Sequence, residues 1–143
     1  MKELWLEKEP SDVYGGKINQ LINLCQLGLL VPKGLILPAD QVMAWLSAAL
    51  PEYSKQGLKE LIHLGKEEIA ERLQQYPLEP SWLQQLADFC KENQSYIVRS
   101  SALLEDGQAM SFAGQYDSIG DCQSLSEIEQ GIRSCMLSLF NPE

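Results

Sequence analysis

Apolar and polar positions follow two different periods along this chain, and the changes of period mark its elements. Leu4 to Glu7 has extended character and predicts a short strand, while Lys8 to Gly16, with Pro10, Ser11, Asp12 and the Gly15-Gly16 pair, predicts a loop. Ile18, Leu21, Ile22 and Cys25 then recur at three- and four-residue steps. That spacing predicts an amphipathic helix from about Lys17 to Leu27, stopped by Gly28 and Pro32. After the Pro32-Lys33-Gly34 turn, Leu35-Ile36-Leu37 reads as a buried strand ahead of Pro38. Residues 1–38 therefore read strand, loop, helix, strand.

The middle, residues 39–93, is helical throughout. Asp40 is placed to cap a helix carrying Val42, Met43, Trp45, Leu46 and Leu50, and Leu58, Leu61, Ile62, Ile69 and Leu73 predict two further short helices broken near Gly65. Pro80-Ser81 opens another, with Trp82, Leu83, Leu86, Phe89 and Cys90 facing inward. The single histidine, His63, stands beside Ile62 and Leu64 and reads as a surface or boundary residue. Residues 94–143 return to strand character at Ser95 to Ser101, pass through Ala102 to Ser118 with no clean period, and end in a helix from about Ser124 to Phe140. An aperiodic stretch of that length is a functional loop or a weak hairpin. Met110, Phe112 and Tyr116 give it apolar surface to bury.

Length and composition narrow the picture. The 143 residues suit one compact domain, with 45% hydrophobic and 22% charged residues, as in soluble globular chains. Eleven Lys and Arg against 20 Asp and Glu give a formal charge of −9, which argues against nucleic acid or an anionic membrane surface as partner. The N-terminus lacks the apolar core of a signal peptide and no apolar run is long enough for a membrane span, so the expected location is the cytoplasm. Cys25, Cys90, Cys122 and Cys135 are scattered without a C-x-x-C pair and read as reduced thiols; no metal-ligand set is visible.

Three segments could carry chemistry. Gly15-Gly16-Lys17 sits at a loop-to-helix junction, where free amides and the positive helix end favour an anion. It lacks the spacing of a Walker A loop, and taken by itself the tripeptide reads better as an ordinary turn with a solvated lysine. Arg99 ends an apolar strand, and alternation pairs it with Ile97 on one face, which predicts partial burial. It is the only Lys or Arg between Lys91 and Arg133. Either it forms an ion pair with Glu105 or Asp106, or its guanidinium fork binds a phosphate. Ser111-Phe112-Ala113-Gly114-Gln115, with Asp117-Ser118, could form a phosphate-binding flap anchored by Phe112, or a simple hairpin.

In this order the segments resemble a known family. Gly15-Gly16-Lys17, a helix, and Gly28-Leu29-Leu30-Val31-Pro32-Lys33-Gly34-Leu35-Ile36-Leu37 are similar to the pattern GGKGANL…G-L-x-VP-x-G-F-x-(V/I). Val98-Arg99-Ser100-Ser101-Ala102, Glu105-Asp106 and Ser111 to Ser118 are similar to VRSSA-x-x-ED-x-x-x-x-SFAGQ-x-D-T. These patterns mark the N-terminal nucleotide-binding domain shared by phosphoenolpyruvate synthase, pyruvate phosphate dikinase and rifampicin phosphotransferase. The helical middle is unmatched. Ile18 stands where the family has glycine, and Gln108-Ala109 where it often has Pro-Asp.

The resemblance implies an α+β fold: the N-terminal lobe of an ATP-grasp-like domain, a small mixed sheet with packed helices and a helical middle segment. It implies ATP as ligand, with Lys17 and Arg99 at the phosphates and Gly114 and Ser118 also at the nucleotide. It assigns no catalytic residue to these 143 residues. Mg2+ ligands are expected in the second ATP-grasp lobe. That lobe and the phosphohistidine domain lie beyond Glu143 in family sequences, so this chain is expected to be one partial domain, inactive alone. In the parent enzyme ATP phosphorylates a catalytic histidine, which passes the group to pyruvate; a drug is the acceptor in the rifampicin enzymes. A stand-alone nucleotide-binding or interaction module is the alternative.

Overall fold

A computed structural model describes residues 1–4, 7–52, 64–91, 94–101 and 118–140. In chain order they form β1 (Lys2–Glu3), α1 (Gly15–Gln26), β2 (Leu35–Ile36), α2 (Ala39–Ala49), α3 (Lys66–Gln75), α4 (Pro80–Phe89), β3 (Tyr96–Arg99), β4 (Ser118–Cys122) and α5 (Leu125–Ser138). Helices and short strands are interleaved, an α+β arrangement. The strands make two antiparallel pairs, β1 with β2 and β3 with β4, where one small mixed sheet was expected.

The first strand lies earlier than Leu4–Glu7. Lys2 and Glu3 pair with Ile36 and Leu35, and the Leu4 amide still donates to the Gly34 carbonyl at 2.9 Å. The chain then turns, because the Glu7 amide donates back to the Leu4 carbonyl at 3.2 Å. Leu4 is thereby buried with Tyr14, Ile22 and Ile36 in a small cluster that seats α1.

A larger core gathers α2, α3, α4 and α5 with the β3–β4 pair. Trp45, Leu46, Leu50, Ile69, Leu73, Trp82, Leu86, Cys122, Ile128 and Met136 are all buried in it. The indole of Trp45 donates to the Pro77 carbonyl at 2.8 Å and that of Trp82 to Gln41 Oε1 at 3.2 Å, so both large rings are buried with their one polar atom satisfied. Arg133 on α5 donates to the carbonyls of Leu73 and Tyr76 at the end of α3 and lies over the Trp45 ring. A guanidinium thus satisfies carbonyls that the helix end leaves open.

Asp40 is not the cap of α2: Pro38 holds that position in extended conformation, and Asp40 lies in the first turn, where its charge suits the positive helix end. At α5, Ser124 Oγ accepts from the Glu127 amide at 3.2 Å, and the Glu127 carboxylate reaches back to the Gln123 amide at 2.6 Å. This is a capping-box pairing displaced by one residue at its second bond. Of the aperiodic stretch only Ser118 is described: it opens β4, which pairs with β3, and the loop-or-hairpin question for residues 102–117 lies outside the described residues. A bulge lies between the pairs Tyr96–Cys122 and Val98–Ile119, and there Asp121 takes φ 57° while accepting from the Ser95 hydroxyl at 3.0 Å.

Candidate anion site at the start of helix α1

Helix α1 begins at Gly15, two residues before the periodicity predicts, because its cap comes from elsewhere in the chain. Tyr14 holds the N-cap position and contributes no side-chain cap. Instead the Ser101 hydroxyl accepts from the Ile18 amide at 3.2 Å and donates to the Tyr14 carbonyl at 2.9 Å. One hydroxyl therefore ties both sides of the first turn to the end of β3, 83 residues away in sequence. Gly15 makes the approach possible. Its φ is +71°, and a Cβ there would collide with the Ser101 carbonyl and stand 2.8 Å from its hydroxyl oxygen.

The same contact brings the predicted residues together. Lys17 Nζ donates to the Ser100 carbonyl at 3.4 Å, the residue after Arg99. Arg99 is the last residue of β3, and Ser118, the first of β4, is its direct cross-strand partner. So Lys17, Arg99 and Ser118 converge on one end of the β3–β4 pair, beside the positive end of α1. Gly114 lies outside the described residues, as do the flap around it and the carboxylates Glu105 and Asp106.

Arg99 differs from the expectation of partial burial: it is exposed. The reason is the seating of the hairpin. Its inner face rests on α5, where a Cβ on Gly131 would stand 3.0 Å from Val98, so Tyr96 and Val98 are covered. Ile97, 64% exposed, shares the open face with Arg99. Among the described residues no carboxylate forms an ion pair with Arg99.

The loop leading into α1 is braced by a second polar contact. The Tyr14 hydroxyl donates to Glu7 Oε2 at 2.8 Å, and burial together with that carboxylate pushes the phenol up to about 12. Among the described residues no cluster of three or more His, Cys, Asp or Glu side chains could hold a metal ion, and no helix is long and apolar enough to cross a membrane. Burial also raises the Cys122 and Cys90 thiols, and none of the four cysteines forms a disulfide. A groove of about 700 Å3 bordered by Lys33, Leu35, Phe89, Lys91 and Tyr96 includes none of Lys17, Arg99 and Ser118.

Ser101 and Gly15 are the residues whose role the periodicity missed. Nothing local to either position signals so distant a contact; their presence inside the two matched motifs was the available signal.

A glycine-opened helix start is an arrangement that favours an anion. Comparison specifies the class: the pyruvate phosphate dikinase AMP/ATP-binding domain matches residues 11–143, and the chain belongs to that family. It is 30% identical to a phosphoenolpyruvate synthase of Neisseria meningitidis over 162 aligned residues, covering 96% of this chain and 20% of that protein. It is 31% identical to the prodigiosin synthesizing transferase PigC of Serratia marcescens, covering 88% of this chain and 14% of the relative. The phosphotransferase YvkC of Bacillus subtilis is 27% identical over 94% of this chain and 15% of its own length. The chain thus spans a fifth or less of these relatives. No solved structure matches it.

Proposed function

We propose that this chain is the ATP-binding lobe of a phosphoenolpyruvate synthase-type phosphotransferase, the N-terminal lobe of an ATP-grasp domain formed by residues 1–143 as one unit. The observation that carries the reading is the junction of Gly15-Gly16-Lys17 with the Arg99 end of β3, fixed by Ser101 across 83 residues. Membership in an AMP/ATP-binding domain family supports it.

In this reading the ATP phosphates lie at the positive end of α1, with Lys17 and Arg99 neutralising charge and Ser118 and Gly114 contacting the nucleotide. Phosphoryl transfer is catalysed mainly by such positioning and charge neutralisation. In this reading magnesium accompanies ATP, with its ligands in the second lobe. The transfer of phosphate to a histidine and then to pyruvate belongs to domains outside this stretch, and the lobe alone binds nucleotide without turnover.

Calorimetric titration with ATP and magnesium tests the assignment. Binding lost in both Lys17→Ala and Arg99→Ala supports it. A wild-type chain that binds no ATP, or binding untouched by either change, overturns it.

A further inference from the structure

We infer that Ser101 is the positioning residue of this site: its hydroxyl holds the Gly15-Gly16-Lys17 turn against β3, so that Lys17 and Arg99 address one anion. The inference rests on the proposed nucleotide reading.

Three observations converge on it. The hydroxyl uses its proton on the Tyr14 carbonyl and a lone pair on the Ile18 amide, so one side chain spans the first turn of α1. The Ser101 backbone packs so closely on Gly15 that only glycine fits there. Lys17 bonds the adjacent carbonyl, of Ser100, so the lysine is placed by the same segment. Helix α1 otherwise rests on a separate small cluster of four buried residues, Leu4, Tyr14, Ile22 and Ile36. None of these belongs to β3, whereas the Ser100-Ser101 segment gives a polar link from the start of α1 to the strand that ends in Arg99.

A misplacement of about 1 Å in a binding constellation has a large effect on function. Removing the hydroxyl leaves the charges of Lys17 and Arg99 intact and frees their relative position. The change therefore weakens phosphate binding without altering the chemistry of either cation.

The test compares wild type, Ser101→Ala and Ser101→Thr by calorimetry with ATP and magnesium, together with amide exchange at Ile18 and thermal midpoints. Ser101→Ala is expected to weaken ATP about tenfold and to speed Ile18 exchange at least tenfold, with exchange at Ile69 and Leu73 in the large core unchanged. Ser101→Thr, which keeps the hydroxyl, is expected to restore both. Ala binding ATP as tightly as wild type, while Arg99→Ala does not, overturns the inference and leaves the nucleotide reading standing. Unchanged Ile18 exchange in Ala, or Thr behaving like Ala, overturns it as well. A wild-type chain that binds no ATP overturns the nucleotide reading and this inference with it.

Discussion

Replacing Gly15 by alanine probes the junction that builds the site. Gly15 has φ +71°, a conformation that costs an alanine about 1–2 kcal/mol. The new Cβ meets the Ser101 backbone, which cannot rotate away as a flexible side chain could, so the strand end must shift. The shift breaks the bonds from Ser101 to Tyr14 and Ile18, each worth about 0.5–1.5 kcal/mol. Alanine recovers about 0.4–1 kcal/mol by restricting the unfolded chain, which leaves a net loss of about 2–4 kcal/mol. Gly28→Ala is the matched control: its φ is +76°, but nothing lies within 4 Å of its Cβ position, so only the conformational cost applies, which less the same recovery leaves a net loss of about 0–1.5 kcal/mol. Urea unfolding followed by far-ultraviolet circular dichroism reads both variants, and the Gly15 loss lowers the midpoint by about 1–2 M. Equal losses for Gly15→Ala and Gly28→Ala would refute the claim that Ser101 is packed on the start of α1.

Two further perturbations test the surroundings. Tyr14 is held neutral by burial and by Glu7, with its phenol raised from the ordinary 10.0 to about 12. Its contribution is complete below pH 10 and is lost as pH rises toward 12, because the unfolded chain releases the proton first. Stability curves against pH should therefore fall by about 1–3 kcal/mol over that window in wild type, and the fall should shrink in Tyr14→Phe; identical alkaline limbs would remove the assigned cause. Arg133→Met removes the donors to the Leu73 and Tyr76 carbonyls and the contact with Trp45, and is expected to cost about 2–4 kcal/mol in denaturant unfolding. A loss below about 0.5 kcal/mol would show that water replaces those bonds without cost.

What the sequence made legible was the periodic part. The 3.6-residue spacing of Ile18, Leu21, Ile22 and Cys25 located α1, and Trp82 and Leu86 were placed correctly inside α4. Helix ends were less legible, because caps are set by geometry and not by residue type alone. Asp40 has the right chemistry for a cap but follows Pro38, which already provides the extended residue; Tyr14 has the wrong chemistry, and Ser101 supplies what it lacks. Strand bounds were set by pairing. Leu4 looks like a strand residue, yet Lys2 and Glu3 are the ones opposite Leu35–Ile36. The exposure of Arg99 was misread because alternation fixes which residues share a face but not which face is covered, and Gly131 on α5 decides that.

Electrostatics connects the open face to the proposed ligand. With 11 basic and 20 acidic residues, the chain as a whole repels a polyanion. In the proposed reading a single anion is nevertheless favoured where the positive end of α1, Lys17 and Arg99 meet, because these act over a few ångströms while the remaining charges are screened beyond about 8–10 Å at physiological salt. The exposure of Arg99 limits that attraction, since a guanidinium in water interacts with far less energy than one excluded from it. Measured on this lobe alone, ATP binding should accordingly be weak and fall with added salt. A second wall over the Arg99 and Ile97 face would remove water from the same charges and strengthen the same contacts without adding a new one. In the proposed reading that wall is the second lobe, and the open face of β3 is where it closes.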